Sequence, residues 1–271
     1  MEEILLNLEP FIRSVAERGG QFQGQVDSQT KSDTGSLAAD VVTQADYWVQ
    51  HELLQQFVNT PLARCQLVAE ESSAQLAPLM ERFAHESDYQ LLIDPIDGTK
   101  RFVEGLPYFS TIVSLRYQNQ CLYTFCYYPK LSWWVRLIGE ESWEFSGRLP
   151  LSIPESSTKS VVYTSGTPEQ DFADWQSELA GWDWLKGDSL HPCGSKLLYI
   201  SGSVAGYASS KPNLYDGLMI YHYAKVRRHK LREQNAQGHS PMDLARCETT
   251  PRGVQVSGRY LCLQPGANQC K

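Results

Sequence analysis

Two short apolar runs, each followed at once by acidic residues, constrain the fold of this 271-residue chain most strongly. Leu67-Val68-Ala69 precedes Glu70, and Leu91-Leu92-Ile93 precedes Asp94. Short apolar runs bounded by turn residues are typical of buried strands. Because ligand sites in α/β sheets form at strand ends, the acids are predicted to lie where such a site would be, with Asp94 at a strand terminus.

The rest of the pattern mixes helices with strands. Apolar residues from Ile4 to Ala16 recur at helical spacing, and Gly19-Gly20 is predicted to end that helix. β-Branched and aromatic residues dominate 109–138, where a polar turn at 118–120 indicates a hairpin. We also predict a strand at 160–165 and helices after Thr43 and near 168–180, 193–205 and 215–224. This mixture predicts an α/β or α+β fold.

Length and composition bound the organisation. At 42% hydrophobic and 20% charged residues, the chain can bury a sizeable core. Its length fits one large domain or about two compact units of roughly 150 residues each. Two prolines and four serines gather within 149–160, which indicates a soft boundary there.

Charge is unevenly distributed along the chain. Residues 225–271 hold nine Lys/Arg and three acids, a net charge of +6. Because the whole chain has a net charge of −7, the first 224 residues carry −13. The acidic total argues against a protein that binds nucleic acid by neutralising phosphates. For the run Lys225–Arg232 we consider a solvated helix face, attraction of a phosphorylated substrate, and nucleic-acid binding. We expect the last to be weak or absent.

The cysteines and the amino terminus indicate the compartment. The seven cysteines are odd in number, and no pair has the two-residue gap of a zinc or redox motif. We therefore expect free, mostly buried thiols in a reducing cytoplasm. The start of the chain has no basic leader or long apolar run, so we expect neither a signal peptide nor a membrane span.

The segment Asp94-Pro95-Ile96-Asp97-Gly98-Thr99 has the strongest chemical signal. Pro95 restricts the backbone so that the two acids can converge, and Gly98 allows close approach of a ligand. If a helical turn starts at Thr99, its N–H groups can bind an anion. A divalent cation and a phosphate ester need such acids beside such a cradle. A simple tight turn, with Asp97 as a cap, is the alternative.

Two upstream segments are also rich in acids. Glu70-Glu71-Ser72 is either part of the same site or a solvated helix start. The segment Asp40–Asp46 also has a simpler explanation, because Thr43 and Asp46 have the spacing of a capping box.

In combination, these segments resemble the inositol monophosphatase family of magnesium-dependent, lithium-sensitive phosphatases. Their order and spacing fit, and the hexapeptide 94–99 is highly specific. The resemblance extends over about residues 30–220. It includes Ser146-Gly147-Arg148, Gly194-Ser195 followed by Val204-Ala205-Gly206, and Asn213-Leu214-Tyr215-Asp216.

The resemblance implies a layered α-β-α-β-α sandwich of the sugar-phosphatase type. Residues 1–150 would be an N-terminal α+β half carrying the metal-binding motifs. Residues 151–271 would be a C-terminal α/β half that completes the site, and the two together would form one compact catalytic unit. Family members are commonly dimers, so a homodimer is a further expectation.

The resemblance also implies the chemistry. Two or three Mg²⁺ would be held by Glu70, Asp94, the Ile96 carbonyl, Asp97 and Asp216. Thr99, paired with Asp46 and aided by Glu70, would activate a water that attacks phosphorus. Substrate contacts would come from Gly98, Thr99, Ser195 and Asp216. The substrate would be a small phosphorylated metabolite, with no nucleic-acid or membrane partner.

Departures from the family pattern leave the substrate and the activity open. Lys100-Arg101 resembles the bisphosphate nucleotidase and histidinol-phosphate phosphatase branches more than typical inositol phosphatases. Tyr215 replaces the usual Trp, and bulky Leu218 and Met219 replace small residues, so a local adjustment is expected. Beyond Ala224 the chain no longer aligns with the family. A catalytically inactive family member that acts as a binding or scaffold protein is therefore the alternative from another class.

Overall fold

The structure, a computed structural model, describes residues 1–23, 28–30, 41–149, 159–164, 166–187, 191–234, 247–250, 253–256 and 258–265. Within these ranges the α-helices are α1 (Glu2–Gly20), α2 (Gln44–Phe57), α3 (Ala77–Met80), α4 (Thr99–Val103), α5 (Ala173–Glu178), α6 (Gly194–Ile200) and α7 (Leu214–Val226). Short 3₁₀ helices cover Pro61–Arg64, Pro129–Leu131 and Glu169–Phe172.

Six strands form the first large sheet, in the order β3-β4-β5-β6-β7-β8. They are β3 (Gln66–Ala69), β4 (Tyr89–Asp97), β5 (Ser110–Tyr117), β6 (Gln120–Tyr128), β7 (Trp133–Ile138) and β8 (Ser142–Phe145). β3 pairs with β4 in parallel, and the other neighbours are antiparallel. A two-stranded antiparallel ribbon, β1 (Ser28–Thr30) with β2 (Val41–Thr43), precedes this sheet.

The second large sheet has five strands, in the order β10-β9-β11-β15-β12. They are β9 (Ser160–Tyr163), β10 (Asp183–Lys186), β11 (Gly206–Ser210), β12 (Lys230–Gln234) and β15 (Arg259–Leu263). β9 pairs in parallel with β10 and β11, whereas β15 is antiparallel to β11 and β12. A separate ribbon consists of β13 (Glu248–Thr250) and β14 (Gly253–Gln255).

Burial of both sheets on both faces explains the continuous apolar runs. In β4, Leu91 and Ile93 pack with α1 and α2, whereas Leu92 lies in the cluster that contains α6 and α7. Successive strand residues point to opposite faces, so a strand covered on both sides needs apolar residues at consecutive positions. The outer face of the second sheet packs on Phe172 and Trp175, beside and within α5.

The layers therefore run helix, sheet, helix, sheet, helix, as the family resemblance implies. α7 lies in the middle layer, between the two sheets, and is apolar around its whole circumference as this position requires. Leu218 and Met219, the bulky residues that depart from the family pattern, are fully buried there. The adjustment they require is thus one of packing between the sheets.

Most predicted elements are confirmed, although their bounds shift. The helix 4–19 is α1, the helix after Thr43 is α2, and the hairpin around 118–120 is β5–β6. The helix predicted at 193–205 ends earlier, at Ile200. The six cysteines of the described part are free thiols, five of them buried, as expected. The boundary at 149–160 and Asp40 of the upstream motif fall almost wholly outside the described residues.

Candidate active site

A β-bulge brings Asp94 and Asp97 to one face of the first sheet. Asp94 pairs with Ile112 and Asp97 with Ser110, so two residues of β4 stand opposite Thr111 alone. In a regular strand, side chains three residues apart point to opposite faces of the sheet. The extra residue of the bulge shifts the alternation by one, so both aspartates point to the same face. The predicted strand end at Asp94 is therefore wrong, because β4 continues through the motif to Asp97.

Pro95 fits this bulge for a physical reason. Proline has no N–H to give to a ladder, and bulges are among the few places in a sheet that tolerate it. The Thr111 hydroxyl donates to the Pro95 carbonyl at 2.8 Å, which holds the bulge from the neighbouring strand.

The parallel strand β3 brings Glu70 beside Asp94. The Glu70 N–H donates to the Ile93 carbonyl at 3.1 Å, which extends the β3–β4 ladder by one residue. Gln50 of α2 fixes the following residue, since its side-chain amide accepts from the Glu71 N–H and donates to the Glu71 carbonyl. No helix begins at 70–72 in this fully described segment, so the solvated helix start is wrong.

Asp216 completes a group of three carboxylates. It lies in the first turn of α7, which packs across β4 and β5. One carboxylate oxygen from each of Asp94, Asp97 and Asp216 lies within 4.8 Å of the others. Asp94 is only 1% exposed, whereas the side chains of Asp97 and Asp216 are 17% and 35% exposed, so the group opens toward solvent at Asp216.

The charge of this group is incompletely balanced by the protein. Burial raises the pKa of Asp94 well above its usual range, and the negative charges of Glu70, Asp216 and Asp97 raise it further. Asp94 Oδ1 is buried with no hydrogen-bond partner among the described residues. A buried oxygen that lacks a donor, beside further carboxylates, fits a hard divalent cation.

Lys196 is a site residue that the sequence did not predict. It lies on α6, and its Nζ donates to Asp97 Oδ1 at 2.8 Å and to Asp216 Oδ1 at 3.3 Å. Burial alone would lower the pKa of Lys196, but the carboxylates of Asp97, Asp216 and Asp94 raise it well above its usual value. A lysine in the first turn of a helix is unfavourable because it opposes the helix dipole. This unfavourable position is the sequence feature that could have indicated a functional role for Lys196.

Gly98 and Thr99 form the turn after β4. Gly98 adopts φ +91°, and a Cβ there would lie 3.2 Å from the Tyr108 carbonyl oxygen, so this position favours glycine. The helix predicted at Thr99 is α4, and the Thr99 hydroxyl donates to the Ile96 carbonyl at 3.1 Å. The Ile96 carbonyl, a predicted metal ligand, thus lies directly against the predicted catalytic threonine.

Asp46 lies near the same turn. It is fully buried in the first turn of α2, and its neighbour Ala45 packs with Ile96, Phe102 and Phe109. The starts of α2 and α4 are therefore adjacent. The pairing of Asp46 with Thr99 that the resemblance implies stays a prediction.

Arg101 connects the turn at Gly98 to α6. Its Nε donates to the Pro192 carbonyl at 2.8 Å, and its guanidinium covers Gly194, where a Cβ would lie 2.3 Å from Nη2. This contact places the start of α6, with Ser195 and Lys196, beside the motif on β4. Ser195 itself lies against Gly187 and is partly exposed.

Comparison with known proteins identifies the family. Residues 10–216 match the model of the inositol monophosphatase family. The chain belongs to this family. The match ends at Asp216, close to the point where the sequence ceases to resemble other members of the family.

Individual relatives of this inositol monophosphatase family member are distant. Inositol monophosphatase 1 of Saccharomyces cerevisiae is 23% identical over 192 residues, 67% of this chain and 63% of the yeast protein. Nus factor SuhB of Haemophilus influenzae is 49% identical over 35 residues, 13% of each chain. The aligned regions thus span less than two thirds of either relative.

Fold similarity extends over nearly the whole chain. A crystal structure of an IMPase/NADP phosphatase complexed with Mg²⁺ and phosphate superposes with a TM-score of 0.67 at 14% identity. The superposition covers 98% of this chain and 92% of that one. At this identity the similarity shows the fold alone. Within the described residues, no helix is both long and apolar enough to cross a membrane.

Proposed function

We propose that this family member is a Mg²⁺-dependent phosphomonoesterase acting on a small phosphorylated metabolite of the inositol monophosphate type. Membership of the inositol monophosphatase family supports a phosphatase. The observation that carries the proposal is the convergence of Asp94, Asp97 and Asp216, with carboxylate oxygens within 4.8 Å of one another. Such a group concentrates negative charge where hard cations and a phosphate ester can meet.

The residues that would hold Mg²⁺ are Asp94, Asp97 and Asp216, with Glu70 and the Ile96 carbonyl beside them. All are oxygen donors, the ligand type that Mg²⁺ prefers. When bound, the cation supplies charge neutralisation at the phosphoryl group and increases the acidity of water. Two or three ions are expected from the family pattern.

The chain's own polar groups would orient the reactants. Thr99, with Asp46 and Glu70 behind it, would position the attacking water and accept its proton. The N–H groups of Gly98 and Thr99, together with Ser195, would hold the phosphate. Support comes from the Thr99 hydroxyl, which donates at 3.1 Å to the Ile96 carbonyl, itself a predicted metal ligand.

The contacts of Lys100 and Arg101 favour a monophosphate over a bisphosphate substrate. Arg101 is bonded to the Pro192 carbonyl and packed on Gly194, so it has a structural role. Lys100 lies 3.9 Å from Glu104 on the exposed side of α4. Because both side chains are already engaged, they give less support to selection of a second phosphate, as in the bisphosphate nucleotidase branch.

A phosphate-release panel tests the proposal. It should contain inositol monophosphate, 3′-phosphoadenosine 5′-phosphate, histidinol phosphate and fructose 1,6-bisphosphate, each with Mg²⁺, with Mg²⁺ plus Li⁺, and with EDTA. We expect Mg²⁺-dependent release that falls by about 10²–10³-fold in Asp94→Asn, since a neutral amide is a weaker ligand for the cation that neutralises the developing charge. Asp88→Asn is the matched control, because this exposed acid precedes the opposite end of β4.

The panel also separates the alternatives. Undiminished turnover in EDTA or in Asp94→Asn would refute the metal mechanism. No release from any substrate would favour the inactive family member that binds or scaffolds.

A further inference from the structure

Lys196 carries a cation into the acidic group. Its ammonium nitrogen lies 2.8 Å from Asp97 Oδ1 and 3.3 Å from Asp216 Oδ1, and its side chain is only 14% exposed. The lysine therefore bridges two of the three carboxylates from within the protein. The contact joins α6 to β4 and to α7, across 99 and 20 residues of sequence.

The three carboxylates differ in whether their oxygens already accept hydrogen bonds from other residues. Asp97 is bonded through both oxygens, because Oδ1 accepts from Lys196 and Oδ2 accepts from Ser110 Oγ at 3.2 Å. Asp94 Oδ1 is buried and has no hydrogen-bond partner within the described part of the chain. The oxygen available to an external cation is thus on the Asp94 side, while the Asp97–Asp216 side already holds a positive charge.

An ammonium and a divalent ion compete for the same oxygens. A lysine ammonium is a compact point charge with three donors, and Mg²⁺ binds carboxylate oxygens at about 2.0–2.1 Å. A second cation placed between Asp97 and Asp216 would have to share oxygens with Nζ and would be repelled by it. Arg101 holds the segment before α6 through the Pro192 carbonyl, which fixes the backbone from which Lys196 reaches the carboxylates.

We propose that Lys196 is an internal cation that occupies the divalent-ion position between Asp97 and Asp216. The chain then binds one divalent ion fewer than its acidic residues would otherwise hold. Binding concentrates on the Asp94 side of the group. The inference rests on the proposed metal site and makes Lys196 a determinant of how many ions that site takes.

Counting bound Mn²⁺ tests this directly. Mn²⁺ takes the same oxygen ligands, and its free concentration can be followed by electron paramagnetic resonance. The full chain should be titrated as wild type and as Lys196→Met, a straight-chain neutral variant. We expect Lys196→Met to bind one more Mn²⁺ per chain, or to bind its weakest ion at least tenfold more tightly. Equal counts and equal affinities would overturn the proposal.

Matched variants separate charge from packing. Lys196→Arg keeps the positive charge and should bind as many ions as wild type. Lys225→Met removes the same charge at the far end of α7, about 13 Å along the helix from Asp216, and should change nothing. Lys196→Met with Asp216→Asn restores the wild-type net charge, and it should lose the extra ion because that ion needs Asp216.

Folding and activity do not confound the result. Circular dichroism reports whether Lys196→Met is folded, and Lys196→Gln, which can still donate to Asp97, decides the question if it is not. An extra ion in a protein that releases no phosphate would uphold the inference and refute the proposed function. Mg²⁺-dependent phosphate release, together with an equal number of bound ions in wild type and Lys196→Met, would uphold the proposed function and refute the inference.

Discussion

Acid should destabilise this protein through His222, a fully buried residue of α7. Its Nε2 lies 2.6 Å from the Gly139 carbonyl oxygen, which can only accept, so the neutral ring carries its proton there. Nδ1 therefore accepts from the Thr124 hydroxyl at 2.9 Å. The site is thus built for the neutral ring, and burial lowers the pKa of His222 to about 4.

The sign and size of the effect follow from this shift. The unfolded chain binds the proton near pH 6.5, so the stabilisation is fully present above that pH and is lost as the pH falls from about 6.5 toward 4. Between pH 7.5 and pH 5.0 the free energy of unfolding should fall by about 2 kcal/mol from His222 alone. His229, 8% exposed, also has a pKa lowered by burial to about 4 and adds a similar loss.

Urea unfolding at pH 7.5 and pH 5.0 measures this loss. His222→Gln keeps an N–H for the Gly139 carbonyl but cannot titrate, so its loss between the two pH values should be about 2 kcal/mol smaller than that of wild type. His229→Gln should give a comparable reduction, and the double variant should remove both. If wild type and His222→Gln lose the same stability on acidification, the reasoning from burial is refuted.

Two further predictions concern the first sheet and the turn at the site. Arg136→Met should lower the free energy of unfolding by about 3 kcal/mol in urea, because Glu9, 4% exposed and bonded to Arg136, is left as a buried unpaired charge. Glu144→Gln should change it by less than about 0.5 kcal/mol, since that partner of Arg136 is 63% exposed; equal effects would contradict this. Gly98→Ala should cost about 1–2 kcal/mol at φ +91° and should reduce phosphate release. Gly105→Ala, at φ +76° in open space, should cost similar stability but leave turnover intact, and a matching loss of turnover would argue against a site role for Gly98.

Local pattern was sufficient where an element is specified by its own residues. The apolar run 91–93 predicted a buried strand. Helices cover β4 on both faces, which explains why apolar residues do not alternate with polar ones along this strand. The apolar circumference of α7 likewise follows from its place between two sheets. In both elements consecutive residues are buried, so a continuous apolar stretch in the sequence is enough to predict that the element is covered on all sides.

Long-range register was beyond reach for the opposite reason. The convergence of Asp94 and Asp97 depends on Thr111 alone facing two residues of β4, which is a property of the pair of strands and not of the motif. The contacts of Lys196 depend on α6 packing beside β4 and α7, which brings together residues 99 and 20 positions apart in sequence. Conversely, Asp216 is surrounded in sequence by the departures from the family pattern at Tyr215, Leu218 and Met219, yet its carboxylate lies with those of Asp94 and Asp97.

The electrostatics of the basic residues beyond Lys225 also depend on contacts between residues that are distant in sequence. Arg232 of β12 pairs with Glu178, and Arg259 of β15 donates to Asp174 at 2.6 Å, so both dock on the acids of α5. These acids are about half exposed, and each pair is worth at most about 1 kcal/mol. Their larger consequence is for the field outside the protein, because a guanidinium beside a carboxylate presents little positive potential to a polyanion. Since the paired acids lie 54 and 85 residues away in sequence, a charge count along the chain overstates the basic surface that a nucleic acid would meet.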